Sequence, residues 1–151
     1  MHRHSAGDAC KRWLADHLLA GDRVVVPEII DYELRRELIR GNYTAAVANL
    51  NAFNTAQIDR YLPLTGAQLR LAAQLWADIR NQGLPTADPH ALDVDVILAA
   101  QAMSLGLPPS LYVIATTNII HLARFVPADL WEKIWPALRI FPFMVTPPPI
   151  A

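Results

Sequence analysis

Three carboxylates and one amide stand where they could bind a metal ion: Glu33, Asp93, Asp95 and Asn118. Glu33 follows one apolar run, and Asn118 follows another. Asp93 and Asp95 precede an alanine-rich stretch. Carboxylates held close together repel one another, and the usual resolution is a bound hard cation such as Mg²⁺ or Mn²⁺, which prefers oxygen ligands. Because such an ion activates water against a phosphodiester, this set of residues predicts metal-dependent phosphodiester hydrolysis.

Each of these residues also has an ordinary structural explanation. Glu33 lies three residues before Arg36, where an exposed ion pair could form. Asp93 and Asp95 suit the first turn of a helix, because the helix dipole favours anions there. Asn118 could belong to a turn. No single position decides between these explanations, so the prediction depends on all of the residues meeting at one place.

The elements that must position these side chains are strands alternating with helices. Apolar runs predict strands over Arg23–Pro27 and Leu111–Thr116. This alternation predicts an α/β fold with a mostly parallel sheet, in which ligand sites collect where the strands end and the next helices begin. The predicted helices run from Ser5 to Gly21, from about Glu28 to Arg40, from Tyr43 onward, from Thr65 to Gly83, from near Asp93 to Gly106 and from His121 to Phe125.

Three segments of the chain together resemble the PIN-domain family, which includes VapC-type toxin nucleases. They are Val-Val-Val-Pro-Glu-Ile-Ile-Asp-Tyr-Glu-Leu-Arg-Arg-Glu-Leu, Leu-Asp-Val-Asp-Val-Ile-Leu-Ala-Ala-Gln-Ala and Val-Ile-Ala-Thr-Thr-Asn-Ile-Ile-His-Leu-Ala-Arg-Phe. The resemblance implies a three-layer α/β/α fold and an endoribonuclease that depends on Mg²⁺ or Mn²⁺. It implies that Glu33, Asp95 and Asn118 are catalytic, and that Asp93 is an auxiliary ligand of the ion held by Glu33 and Asp95. It also implies an antitoxin as a possible partner.

Four further residues are candidates for contacts with RNA: Arg36, Thr116, His121 and Arg124. Thr116 belongs to the last of the three resembling segments, and His121 follows it closely enough to touch a phosphate. Arg36 and Arg124 provide positive charge that could guide RNA. Local hydrogen bonding of His121 and ordinary surface pairing of the arginines remain the alternatives.

One departure from the family's pattern concerns the beginning of the chain. The family starts with an apolar strand that ends in Asp, whereas this sequence starts with Met-His-Arg-His directly before the first predicted helix. We therefore expect the N-terminal strand to be missing, the metal site to lack one acid and the sheet to have a gap. A start assigned too late and a truncated gene both explain this. The alternative function is then a catalytically inactive PIN-like protein that acts as an interaction module.

Length and composition complete the expectations. The 151 residues predict a single PIN-like domain over 1–135 and an extended, proline-rich C-terminal tail over 136–151. Since only 18% of the residues are charged, we expect part of the surface to be covered in a homodimer or by an antitoxin. The net charge of -1 excludes binding of nucleic acid through bulk positive charge. A membrane span and a signal peptide are not expected, so the cytoplasm is the expected compartment.

Overall fold

Helices and short strands alternate along the chain in a computed structural model that describes residues 6–83, 89–117, 119–136 and 142–145. The helices are α1 (Ala6–Leu19), α2 (Glu28–Arg40), α3 (Thr44–Thr55), α4 (Gly66–Asn81) and α5 (Pro89–Met103). The strands are β1 (Arg23–Pro27), β2 (Tyr61–Leu62), β3 (Ile114–Thr116), β4 (Ala128–Leu130) and β5 (Pro142–Val145). Short 3-10 helices cover Pro109–Leu111, Leu122–Arg124 and Trp131–Lys133. The predicted α/β class is confirmed.

The five strands form one sheet in the order β2-β1-β5-β3-β4. Every pairing between these described strands is parallel, as the alternation of strands and helices predicts. Met144 of β5 pairs with Val25 on one side and with Ile114 on the other. The last of the described strands therefore occupies the centre of the sheet.

Each face of the sheet is covered by a helix. Val25 and Ile114 belong to a core cluster with Leu98 of α5. The neighbouring residues Val24 and Ala115 belong to a second cluster, together with Cys10 and Trp13 of α1. Successive residues of a strand point to opposite faces, so α5 covers one face of the sheet and α1 covers the other.

Helix α4 begins as predicted, at Thr65. The Thr65 hydroxyl accepts the Gln68 N–H, and the Gln68 side chain accepts the Thr65 N–H, which forms a capping box. Ala72 and Ile79 are buried against α5. Leu69 and Ala73 of the same helix are exposed, because they lie at the edge of the contact between the two helices.

The helix that carries Asp93 and Asp95 begins earlier than predicted. Its first residue is Pro89. The N–H group of a residue at that position makes no hydrogen bond within the helix, so a proline is accepted there, and its backbone angle suits a helix. Neither aspartate therefore lies in the first turn, where the dipole would favour a negative charge. This removes the main structural explanation that we considered for the two acids.

The other predicted elements agree to different degrees. The bounds of β1 and α2 match the predictions residue for residue. The strand predicted over Leu111–Thr116 is shorter, because Pro109–Leu111 forms a 3-10 helix before it. The helix predicted over His121–Phe125 is also a 3-10 helix, limited to Leu122–Arg124. None of the described helices combines the length and the apolar character needed to cross a membrane.

The sequence predicts an extended C-terminal tail over residues 136–151, of which the structure describes residue 136 and Pro142–Val145. Pro142–Val145 is an extended strand that pairs with both β1 and β3. The main-chain groups on the facing edges of these two strands need hydrogen-bond partners, and β5 provides them. Pro142 is the first residue of β5, a position at which a strand tolerates proline.

Candidate active site

One buried amide side chain fixes α5 against the ends of two strands. Gln101 Oε1 accepts the N–H of Ile29 at 3.2 Å, and Gln101 Nε2 donates to the carbonyl oxygen of Leu62 at 3.1 Å. Ile29 belongs to the first turn of α2, whose N–H groups have no partner within the helix, and Leu62 is the last residue of β2. The bonds of Gln101 therefore bring α5 to the carboxyl ends of β1 and β2, where the sequence predicted the site.

Glu33 and Asp95 meet where α2 and α5 are in contact. Burial, and then the negative charge of Glu33, raises the pKa of Asp95 to about 6. Glu33 lies one turn after Ile29, and Asp95 lies on α5 before Gln101, the residue that bonds to Ile29. The structure thus brings together two acids that are far apart in the sequence, and both side chains are partly buried.

Asp31, another acid of α2, is fully satisfied by its neighbours. It accepts two bonds from Arg35, each of 2.9 Å, and one from Asn54 Nδ2 at 3.1 Å. The bond to Asp31 is also the largest cause of the raised pKa of Arg35. Asp31 therefore holds α2 to α3 and has no need of an added cation.

Glu28, at the start of α2, is satisfied in a similar way. Its carboxylate accepts the N–H of Leu64 and bonds to the hydroxyl of Tyr61. Burial, and then this bond to Glu28, raises the pKa of Tyr61 to about 12, so the hydroxyl keeps its proton. Glu28 therefore ties α2 to the segment that follows β2.

Glu33 differs from the other acids of α2 because no described residue forms an ion pair or a hydrogen bond with it. Glu37 accepts two bonds from Arg40. The guanidinium of Arg36 lies 5.4 Å from the centre of the Tyr32 ring, and the expected ion pair with Glu33 is not formed. Asp95 likewise has no cationic partner among the described residues, so Glu33 and Asp95 face each other without a compensating charge.

The segment after β3 lies beside the same stretch of α5. Thr116 is the last residue of β3 and is buried. His121 is 7% exposed, and none of the described residues bonds to its Nδ1 atom. The next residue, Leu122, packs in one core cluster with Leu98, one helical turn after Asp95. The region of His121 and the acid pair therefore contact the same helix.

The remaining predicted residues have different surroundings. Asp93 lines a groove of about 390 Å³ between α4 and α5, whose other lining residues are Leu69, Ala72, Ala73, Trp76, Val96 and Ile97. Residues two apart on a helix point to nearly opposite sides, so Asp93 and Asp95 face different neighbours. Arg124 is exposed, and Asn118 lies outside the described residues. The metal-binding role of Asp93 and the catalytic role of Asn118 stay predictions.

Sequence reasoning did not single out Gln101, Asp31 or Glu28 as residues of this region. A signal was present for Gln101, since it is the one polar residue in the apolar run Val96–Met103. The spacing of Asp31 and Arg35 is likewise that of an ion pair on a helix. These residues satisfy one another and the nearby main chain, and thereby position Glu33 and Asp95.

Comparisons of the chain with known protein families, with curated proteins and with solved structures gave no match.

Two carboxylates that face each other can share a proton or bind a cation between them. Mg²⁺ is commonly bound by one or two carboxylates while it keeps several water molecules. The oxygen donors of Glu33 and Asp95 are of the kind that Mg²⁺ or Mn²⁺ requires, and a cation would remove the repulsion that contributes to the raised pKa of Asp95. The pair therefore fits a divalent ion in its donor chemistry.

Proposed function

We propose that this chain is an endoribonuclease of the PIN type, with a three-layer α/β/α fold and a requirement for Mg²⁺ or Mn²⁺. The observation that carries the proposal is that Glu33 lies near enough to Asp95 for its charge to help raise the pKa of Asp95 to about 6. Among the acids of α2, Glu33 alone is without a described hydrogen-bonding partner. Perturbed acids that face a like charge cluster at functional sites.

Glu33 and Asp95 would hold the ion in this proposal, with Asn118 as a further oxygen donor, whereas Asp93 faces the groove on another side of α5. A bound Mg²⁺ or Mn²⁺ supplies an activated water and offsets the charge of the phosphate. Asp95 is competent for this role only as a carboxylate, so its pKa of about 6 leaves most molecules ready at neutral pH.

The contacts with RNA are part of the same proposal. Arg36 lies one helical turn after Glu33 and is exposed, so its guanidinium can reach a phosphate beside the acid pair. In this proposal the RNA is also contacted from the β3 side by Thr116, His121 and Arg124. On that side the 3-10 helix Leu122–Arg124 contacts α5. By the resemblance to the PIN-domain family we propose an antitoxin as a partner, and we propose the cytoplasm as the compartment.

The test uses the full chain and single-stranded RNA, with Mg²⁺, with Mn²⁺ and with EDTA. We expect cleavage only with the divalent ion, and we expect Asp95→Asn and Glu33→Gln each to slow it at least about 100-fold. Asp78 of α4 is exposed and accepts a bond from Gln74, so Asp78→Asn is the control that removes a carboxylate elsewhere. Cleavage that persists in EDTA, or that Asp95→Asn leaves intact, contradicts the proposal.

A second candidate function is a non-catalytic interaction module, and the composition of the central strand favours it. Residues 142–151, which include β5, contain no Asp or Glu, so this segment cannot supply a carboxylate at the middle of the sheet. A site with two carboxylates binds a divalent ion weakly. If titration calorimetry detects no binding of Mg²⁺ or Mn²⁺ and RNA is not cleaved, the interaction module is the better assignment.

A further inference from the structure

An exposed tyrosine on the outer surface of α2 is held in place by an arginine. Tyr32 is 57% exposed. The guanidinium of Arg36, about one helical turn later, lies 5.4 Å from the centre of the Tyr32 ring, which is the distance of a cation–π contact. The ring is therefore positioned by a cation, while more than half of the residue is open to solvent.

Arg36 differs from the other two arginines of α2 because it pairs with no carboxylate among the described residues. Arg35 donates two bonds to Asp31. Arg40 donates two bonds to Glu37. Arg36 instead contacts the face of an aromatic ring, which leaves its positive charge without a carboxylate beside it. An anionic group from outside the chain can therefore bind to Arg36.

The contact between Tyr32 and Arg36 does not hold two elements of the fold together. Arg60 makes a comparable contact in the interior, where its guanidinium lies 4.3 Å from the centre of the Phe53 ring and donates to the Phe53 carbonyl oxygen. That contact joins the segment before β2 to the end of α3. Tyr32 and Arg36 belong to one helix and are both exposed, so their contact has no such structural role. The pair is available to a ligand.

The positions of Tyr32 and Arg36 on α2 place them beside the acid pair. Residues that follow one another in a helix are rotated by about 100° around its axis. Glu33 is therefore about 100° from Tyr32, and Arg36 lies between the two, about 40° from Tyr32. From the proposed metal site outward, the surface of α2 presents a carboxylate, then a guanidinium and then an aromatic ring. A strand whose phosphate is bound at the acid pair has a cation and a ring next to it.

This order of groups fits one nucleotide of an RNA strand. We propose that Tyr32 is a stacking platform for an unpaired base, and that Arg36 binds the phosphate that adjoins this base. The inference rests on the proposed function, in which Glu33 and Asp95 hold the metal ion. It defines the substrate more narrowly, as RNA with an unpaired base next to the phosphate that is cleaved.

Stacking favours a single strand over a duplex, because the bases of a duplex already stack on one another and hide their faces. Aromatic side chains bind single-stranded nucleic acid in this way, since every base has a face that can stack. The net charge of the chain is -1, so bulk positive charge does not hold the RNA. A stacked base therefore contributes affinity that the charge of the chain does not.

The test measures binding of RNA to the full chain in EDTA, where the proposed cleavage does not occur. The probes are a labelled single-stranded RNA of about ten nucleotides and a duplex of the same sequence, and fluorescence anisotropy gives the Kd of each. We expect Tyr32→Ala to weaken binding of the single strand at least about fivefold. Binding of the duplex, which is weaker in the parent protein, should stay unchanged, because its bases do not reach the ring.

Three further variants separate stacking from other effects of the substitution. Tyr32→Phe keeps the ring and should bind the single strand as the parent protein does. Tyr32→Leu keeps an apolar side chain without a ring, so it should lose the same affinity as Tyr32→Ala. Tyr43→Ala is the matched control, because Tyr43 is 55% exposed and lies three residues beyond the end of α2. A Tyr32→Ala protein that binds the single strand as tightly as Tyr43→Ala does overturns the inference.

Cleavage of the same single strand with Mg²⁺ or Mn²⁺ distinguishes a failure of this inference from a failure of the proposed function. If Asp95→Asn abolishes cleavage but Tyr32→Ala changes neither binding nor cleavage, the nuclease stands and the stacking platform is wrong. If Tyr32→Ala weakens binding of the single strand but no protein cleaves it, the platform stands and the nuclease is wrong. Equal affinity of the parent protein for the single strand and the duplex also overturns the inference.

Discussion

Two carboxylates near opposite ends of β1, those of Asp22 and Asp95, have different electrostatic surroundings. Before the strand, Asp22 Oδ2 lies 2.5 Å from Nδ1 of His17, and both side chains are fully buried. The other ring nitrogen of His17 faces the carbonyl oxygen of Ile134, which can only accept a hydrogen bond. After the strand, Asp95 faces Glu33, a like charge, and no described residue compensates either acid.

The difference separates a structural pair from a candidate functional one. His17 links α1 to Ile134, and both of its ring nitrogens have a hydrogen-bonding partner. Asp95 makes the folded protein less stable than it could be, since burial and the charge of Glu33 both oppose its negative charge. Proteins retain such unfavourable groups mainly where function requires them.

The largest effect is expected when the satisfied pair is broken. Asp22→Ala leaves His17 buried with an unmatched ring nitrogen, so we expect a loss of about 3 to 5 kcal/mol in the free energy of unfolding. Urea denaturation measures this value. Asp16→Ala, an exposed change on α1, should stay within about 0.5 kcal/mol of the parent protein. A loss below about 1 kcal/mol for Asp22→Ala would contradict the structural role of the pair.

At Glu33 and Asp95, removal of one carboxylate should instead increase the free energy of unfolding. Asp95→Asn removes a carboxylate whose pKa is raised to about 6, and each pKa unit corresponds to about 1.4 kcal/mol. In the absence of divalent ions at about pH 7.5, we therefore expect this variant to be more stable by about 2 to 3 kcal/mol. Asp78→Asn is again the control. A destabilised Asp95→Asn variant would show that Asp95 has a favourable partner.

A smaller effect is expected in the pH dependence of the free energy of unfolding. Because the folded pKa of Asp95 lies above its ordinary value of 3.8, the folded state binds the proton more tightly than the unfolded state. Stability therefore falls as the pH rises through this range and levels off above about 6. Between about pH 5 and about pH 7.5, the parent protein should lose about 1 to 1.5 kcal/mol relative to Asp95→Asn. Parallel stability curves for the two proteins would contradict the raised pKa.

The sequence predicts β1, α2 and the start of α4 at Thr65 well, because their signals are local. Three β-branched residues in Arg23–Pro27 indicate a strand, and Thr65 is a residue type that caps helices. The predicted start of α5, near Asp93, is too late, because the helix begins at Pro89 and the first turn of a helix accepts proline. Local sequence patterns therefore predict such helices and strands well, and the error falls at the end of an element.

Two features could not be predicted from local patterns. The insertion of β5 depends on the unpaired edges of β1 and β3, which exist only once the rest of the sheet has formed. Glu33 and Arg36 have the spacing of an ion pair, yet Arg36 lies over Tyr32 and leaves Glu33 to face Asp95. Tertiary packing determines which of these neighbours Glu33 has. The sequence alone is therefore consistent with both explanations of Glu33 and does not distinguish them.

The most direct test of the proposed site is the titration of the full chain with Mg²⁺ or Mn²⁺ by calorimetry at about pH 7.5, where Asp95 is charged. We predict binding at one site, weakened at least about tenfold by Glu33→Gln and by Asp95→Asn and unchanged by Asp78→Asn. A protein that binds no divalent ion, or that binds it equally well without Glu33, would contradict the claim that these two carboxylates form a metal site.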